Sequence, residues 1–353
     1  MAAGKPTIDD VAARSGVARA TVSRVLNGGV NVSPEVRSRV MAAIEDLDYH
    51  VNMQARALAG GKAQLLGLVY ASDPDTEPNS FYHSGLELGA LRACAEAGLQ
   101  LMLHAVRQNS GDPAADILAR LDAQACVGLI LTPPFSDDVE LVHRVMERNL
   151  PVVCIAPGPQ ARLITAGVGM DEAQAAYDLT RHLLDLGHRR FGFIKGIAGH
   201  LSAEERYSGF TRALMEADID LASAVCERGN FTFRSGVEQT AAMLARPRCE
   251  WPSALICAND DMAVGALFTA NRLGLSVPGD LSLAGFDDTP LSEIIWPPLT
   301  TVHQPLKVMG CRAVERIVAD LKAMRQGVSP ARARFEPVPH RVVVRESAAR
   351  IDD

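Results

Sequence analysis

The sequence predicts an all-α, helix-turn-helix-like head of three short helices, followed by an α/β core of two Rossmann-like lobes. Three observations carry this. The first fifty residues place apolar side chains at helical spacing between Gly-marked turns. Beyond Gly61, short and fully apolar runs alternate with amphipathic helices, the pattern of a parallel sheet covered on both faces. Those runs fall into two sets, which implies two lobes. At 353 residues the chain is long enough for two or three domains, and the expected division is 1–50 for the head, 51–61 for a linker and 62–353 for the core.

In the head, Thr7 followed by Asp10 reads as a capping box that opens a helix with Ile8, Val11 and Ala12 on its apolar side. Ser15-Gly16 ends that helix. A second runs from about Ala18 to Asn27 and stops at Gly28-Gly29. The third opens with Ser33 as N-cap and Pro34 at the first helical position, and buries Val36, Val40, Ile44 and Leu47. The second helix is unusual. Val22, Val25 and Leu26 face inward, while Arg19, Ala20, Ser23 and Arg24 form an outer face of cations and small residues. In a helix-turn-helix the second helix enters the major groove with its N-terminal end at the bases. There Arg19 can fork onto guanine and Ala20 can meet a thymine methyl, while Thr7, Thr21, Ser23 and Arg24 have the chemistry for phosphate or base contacts.

Charge agrees. Residues 1–62 carry eight basic side chains against six acidic ones, a balance of +2 that leaves −9 for the rest of a chain whose net charge is −7. An acidic average therefore does not exclude a nucleic-acid partner for the head.

The strands expected in the core are 65–70, 99–105, 126–133 and 151–157 in one lobe, and 191–196, 253–260 and 281–288 in the other. A ligand belongs in the crevice at the strands' carboxyl ends. Polar residues gather there: Asn259, Asp260, Asp287 and Asp288 end strands, Arg206 lies early in a helix, and Phe231, Phe81 and Tyr82 follow strands in loops. Carboxylate, amide and guanidinium groups pair with vicinal hydroxyls, and aromatic rings stack on sugar C–H faces. For Asp260 and Asp288 a role as cap or turn residue is an equal alternative.

"TIDDVAARSGVARATVSRVLNG", "VSPEVRSRVMAAIEDLDY" and "NMQARALAG" together resemble the head and hinge of the lactose/galactose-repressor family of bacterial transcription regulators. Ser15 and Ala18 depart from the usual Ala and Ser, and Val51 replaces a proline common before the hinge. The resemblance implies that Arg19 and Ala20 choose the operator sequence and that Arg24 contacts bases. It also implies DNA-facing roles for Asn27, Asn52 and Ala55. Residues Asn52 to Ala59 would form a hinge helix, with Leu58 as a wedge between base pairs in the minor groove.

The resemblance continues over roughly residues 62–345 through "LGHRRFGFIKG", "ERYSGFTRAL", "ALICANDDMAVGAL" and "GLSVPGDLSLAGFDDTPLSEIIWPPLTTVHQP", and it implies a regulatory core related in fold to periplasmic binding proteins. On that pattern Arg206, Asn259 and Asp287 form the effector-binding trio, Phe231 is an aromatic wall, and Ser72 and Met170 are further wall residues. Ala156 stands where some sugar-binding members carry aspartate. Three crossings between lobes are expected near 162–165, 288–292 and 325–329, as a hinge.

The expected function is a homodimeric, sequence-specific repressor of a palindromic operator, controlled by a small carbohydrate effector. Alternatives are a corepressor-dependent repressor with a purine or phosphosugar ligand, a sugar-transport binding protein, or a glycosidase using the paired aspartates. A transport protein needs a signal sequence, and "MAAGKPTIDD" has no apolar core for one. No G-x-S-x-G, P-loop or H-E-x-x-H motif appears, so no enzyme, metal or cofactor is expected. Seven scattered cysteines without a C-x-x-C pair fit reduced core thiols. No apolar run approaches the roughly 20 residues of a membrane span, and the expected location is the cytoplasm.

Overall fold

The computed structural model describes residues 6–26, 32–47, 49, 64–72, 80–107, 111–329 and 334–351. The chain divides into two compact units, residues 1–63 and residues 64–353. Among the described residues, no helix is long and apolar enough to cross a membrane.

In the first unit, α1 (Ile8–Ser15), α2 (Arg19–Leu26) and α3 (Pro34–Asp46) pack around Val11, Ala12, Val22, Val25, Val40, Ala43 and Tyr49. Local sequence fixes the ends. Thr7 accepts from the Asp10 amide at 3.3 Å, and the Asp10 carboxylate accepts from the Thr7 amide at 2.7 Å, closing the capping box. Gly16 turns the chain at φ 65°, a left-handed cap that a side chain would strain. Pro34 starts α3 behind Ser33, whose hydroxyl accepts from Val36. Burying Val22 and Val25 contributes about 1.5–3 kcal/mol each, which pins the inner face of α2.

The second unit has two lobes. In the N-lobe, β1 (Leu65–Ala71), β2 (Gln100–Val106), β3 (Gly128–Leu131), β4 (Val152–Ile155), β5 (Ala166–Gly169) and β11 (Phe335–Pro337) make one sheet in the order β11-β5-β4-β3-β1-β2, parallel throughout. Helices cover both faces. Leu66, Leu68, Ile130, Val153 and Ile155 pack in one apolar cluster, and Val69, Leu129, Leu131, Val152 and Cys154 in another. Alternate residues of each strand thus serve opposite faces, which is why the strands read as unbroken apolar runs. On these faces lie α4 (Ser80–Ala97), α5 (Pro113–Gln124), α6 (Val139–Met146) and the short α7 (Pro159–Arg162).

The C-lobe sheet is β7-β6-β8-β9, again parallel, from β6 (Phe191–Lys195), β7 (Val225–Arg228), β8 (Ala254–Cys257) and β9 (Ser282–Ala284). Helices α8 (Glu172–Asp185), α9 (Leu201–Glu216), α10 (Phe233–Leu244) and α11 (Asp260–Arg272) flank it around Phe191, Phe193, Phe210 and Phe286. Short α12 (Leu291–Ile294) follows β9. An antiparallel pair, β10 (Thr301–His303) with β12 (Arg341–Val343), completes the lobe.

The crossings differ from the sequence expectation. The chain passes between lobes at 169–172, where β5 leads into α8, and at 303–306, where β10 leads into α13 (Leu306–Arg325) on the N-lobe. It passes back at 337–341, between β11 and β12. The expected 162–165, 288–292 and 325–329 fall short because short strands intervene. β5 and β11 extend the N-lobe sheet, and β10 keeps the chain in the C-lobe.

Candidate functional site

On the head, the outer face of α2 is open. Arg19, Ala20 and Arg24 are exposed and Thr21 and Ser23 half-buried, opposite buried Val22 and Val25. Arg19 reaches Asp9 of α1 at 3.5 Å, with both side chains about two-thirds exposed (63% and 65%), so the pair is weak and easily exchanged for a phosphate or base. Thr7 also caps α1: its hydroxyl donates to Asp10 at 2.7 Å, its amide is engaged there, and the residue remains exposed. Asn27, Asn52, Ala55 and Leu58, with the hinge at 51–61, lie outside the described residues.

In the core, the expected residues meet at one place, on a base the sequence did not reveal. Backbone contact between α8 and α9 is so close that a side chain at Gly209 would strike the Ala173 carbonyl. This approach lets the Nε of Arg206, on α9, donate to Glu172 at 2.8 Å. Arg206 also donates to the Ala258 carbonyl, stands 3.8 Å from Asp287, and stacks its guanidinium 3.8 Å from the centroid of the Phe286 ring. Arg206, Glu172 and Asp287 are all buried. Burial alone favours a neutral Arg206, but Glu172 and Asp287 outweigh it and hold the charge. The Asp287 carboxyl is pushed up by burial, against the pull of Arg206.

Asn259 caps α11, accepting from Met262 at 3.0 Å, and its amide donates to the Phe231 carbonyl at 2.9 Å. The Phe231 ring lies over Gly196, where any side chain would strike it. His200 stands edge-on to that ring at 5.1 Å, its pKa pushed down to about 4 by burial. Phe231 (φ 66°), Asp287 (φ 115°) and Asp288 (φ 57°) all hold left-handed backbone, a strain of about 1–3 kcal/mol each that accumulates at functional sites.

From the N-lobe, the Tyr82 phenol enters the field of Glu172, Asp287 and Arg206, and burial followed by these carboxylates pushes its pKa up. Asp137 follows β3 and accepts from the Gly158 amide at 2.7 Å. Leu201 at the start of α9 packs on Gly158, and Arg162 faces Glu205 at 3.9 Å, so the two lobes touch along this seam. Around it, Ser136 Oγ, Asp137 Oδ2, Glu172 Oε1, His200 Nδ1, Asp287 Oδ1 and both amide atoms of Gln304 are buried without a hydrogen-bond partner among the described residues. Such groups cost about 1–3 kcal/mol each unless something binds them.

The cluster therefore unites Tyr82, Arg206, Phe231, Asn259 and Asp287. Ser72 follows β1, and Phe81 and Tyr82 lie in the first turn of α4 rather than in the expected loop. Met170 is fully buried in the C-lobe core beside the first crossing, a packing position rather than an open wall. Asp260 and Asp288 resolve to structural roles. Asp260 accepts from the Thr289 amide at 2.8 Å and the Thr301 hydroxyl at 2.6 Å. Asp288 accepts from Arg345 at 2.6 Å and bonds His303 at 2.8 Å; burial opposes its ionisation, but these bonds prevail and lower its pKa. Glu172, Asp137, His200 and Gln304 went unread in the sequence. A cavity of about 330 Å³ opens at the other end of the N-lobe strands, between Met146, Leu150, Ile164 and Met324. Its acidic lining residue Asp320 is paired with Arg316 at 3.1 Å, and the cavity lies away from this chemistry. Among the described residues, no His, Cys, Asp or Glu cluster has the make-up of a metal site.

Residues 7–52 match the model of the bacterial regulatory proteins of the lacI family, and residues 180–348 match that of the periplasmic binding protein-like domain. Catabolite control protein A of Priestia megaterium is 31% identical over 344 residues, which span 97% of this chain and 98% of that protein. The chain belongs to the lacI family of bacterial regulatory proteins. Among solved structures, the transcriptional regulator CelR–cellobiose complex aligns at TM-score 0.69 and 29% identity, covering 97% of this chain and 99% of its own. The lac repressor dimer bound to operator and the anti-inducer ONPF aligns at TM-score 0.71 and 28% identity, covering 98% and 100%. This lacI-family protein is a transcription regulator, built from a helix-turn-helix DNA-binding head and a periplasmic-binding-protein-like core.

Proposed function

We propose that the protein is a homodimeric cytoplasmic repressor that holds a palindromic operator through the α2 face and changes its grip when a mono- or oligosaccharide enters the cleft between the lobes. It acts by binding, without turnover. Arg19, Ala20 and Arg24 choose the sequence, and Thr21 and Ser23 contact the backbone. By the family pattern Asn27, Asn52 and Ala55 add contacts, and Leu58 wedges the central step.

The observation that carries the effector reading is the Arg206–Glu172–Asp287 cluster. Among the described residues Glu172 Oε1 accepts no hydrogen bond, and Asp287 Oδ1 has only its 3.8 Å ion-pair contact with Arg206, at the seam where the two lobes meet. A sugar's vicinal hydroxyls supply the missing donors, and Phe231 offers an aromatic face beside them. Names of relatives agree: CelR is solved with cellobiose, and the lac repressor as a dimer on operator. For the dimer, exposed Phe268 and Leu273 at α11, with Ile294 and Trp296 on and beyond the adjoining α12, supply an apolar surface.

The three crossings form the hinge. An effector shifts the angle between lobes only as far as it binds one angle better than the other. The N-lobe, whose β1 continues from the head's linker, then changes the spacing of paired heads.

The test titrates a selected operator with and without a soluble metabolite extract. Wild type should change its operator affinity by roughly 5–150-fold, the usual range of such coupling, while Arg206→Ala does not respond. A variant that responds like wild type removes Arg206 from the effector site.

A further inference from the structure

We infer that the cleft selects its effector by charge: it takes an uncharged or amine-bearing polyol and rejects phosphorylated and acidic sugars, with Asp137 of the N-lobe and Glu172 of the C-lobe as the deciding residues. This rests on the proposed effector reading and goes beyond it.

The charge count at the seam is uneven. Asp137, Glu172, Glu205 and Asp287 are set against the guanidiniums of Arg162 and Arg206. Both cations are already engaged. Arg206 serves Glu172, the Ala258 carbonyl and the Phe286 ring. Arg162 donates to the Pro157 carbonyl at 2.6 Å, stacks 4.2 Å from the Phe335 ring centroid and faces Glu205. Lys195, at the end of β6, sits over the Tyr207 ring. A phosphate or carboxylate would compete with Glu172 for Arg206 and with Glu205 for Arg162, and would stand beside Glu172 in a poorly solvated cleft, where like charges repel strongly.

The unfilled valences say the same. Asp137 Oδ2 and Glu172 Oε1 are two buried acceptors without a donor among the described residues, and Asp287 Oδ1 has only the distant Arg206 contact. Hydroxyls bring donors and an ammonium brings three, whereas an anionic group brings acceptors only. Ala156, just after β4, is buried and brings no polar side chain to the seam. The N-lobe's carboxylate at the seam comes instead from the turn after β3, anchored by the Gly158 amide. Burial pushes the Asp137 carboxyl up while Gly158 and Arg162 draw it down, consistent with a site that gains from an incoming donor.

The test splits a soluble metabolite extract on a strong anion exchanger. The flow-through holds neutral and amine-bearing sugars, and the eluate holds phosphorylated and acidic ones. Each fraction is titrated against full-length protein on its selected operator. The flow-through should shift operator affinity, with the eluate at least about tenfold less effective. With the flow-through, Asp137→Asn should raise the half-effect concentration about tenfold, because the amide keeps the Gly158 bond but loses the charged acceptor. Action by the eluate alone overturns the charge inference and leaves effector control standing. An unchanged Asp137→Asn response removes Asp137 from the selection. Action by neither fraction overturns effector control itself, and the charge inference with it.

Discussion

Arg206 Nε donates to Glu172 Oε2 at 2.8 Å, with both side chains nearly sealed from solvent at 6% and 1% exposure. A pair so placed is costly to break from one side, since the survivor is left buried and unpaired. Arg206→Ala should therefore lower unfolding stability by about 3–5 kcal/mol, read from urea midpoints at constant slope. A loss under about 1 kcal/mol would mean that water or another group compensates Glu172 and Asp287.

Gly196 leaves room for the Phe231 ring, and Gly209 leaves room for the Ala173 carbonyl. The two should respond differently. Gly196→Ala displaces a half-buried ring and should weaken effector response, with a modest stability loss of about 1–3 kcal/mol. Gly209→Val forces α8 and α9 apart and should abolish the response by separating Arg206 from Glu172. Equal, small effects at both positions would contradict the packing argument.

On the head, Arg19→Ala should relax preference at one base pair of each half-site by about 1–3 kcal/mol. Asp9→Ala removes the exposed partner of Arg19 and a negative charge beside the DNA face, so operator binding should tighten. Competition between operator variants measures both. A uniform loss across all sequences in Arg19→Ala would reassign Arg19 to the phosphate backbone.

His83 stacks on Tyr70 at 4.7 Å, and burial pushes its pKa down to about 4 from an ordinary 6.5. The unfolded chain then binds the proton more readily, so this residue's contribution is present above pH 6.5 and is lost as pH falls toward 4. The stability advantage of wild type over His83→Gln should shrink across that window by up to about 1.4 kcal/mol per pH unit. Comparison with the variant is needed because buried carboxyls such as Asp287, raised by burial, act in the opposite direction. A pH-independent gap would show that His83 stays hydrated.

Much of this was legible in residue order because the signals are local. Thr7, Gly16 and Ser33-Pro34 mark helix ends through their own backbone chemistry, and the apolar runs around Leu68, Ile130 and Val153 report strands buried on both sides. Arg206, Asn259 and Asp287 stand out by motif as candidates, and they lie together in the C-lobe cluster. Phe335 pairing with Gly167 across more than 160 residues leaves no local trace, and the short strands "AGVG" and "FEP" carry two Gly and a Pro, with Val168 as their one β-branched side chain. For that reason the residue order places the crossings too early in the chain. Glu172 was hidden by a different cause: after Asp171, which caps α8, it reads as an ordinary first-turn acid. Only the approach of α9 turns it into the partner of Arg206.

The most direct measurement of the central claim is selection of bound duplexes from a random pool by the purified full-length protein, repeated with metabolite extract added. The expected result is one palindrome with two equal half-sites, whose recovery changes when the extract is present and whose half-site preference weakens in Arg19→Ala. Recovery of no consensus under either condition, or of a single unrepeated site, would contradict a dimeric operator-reading regulator under effector control.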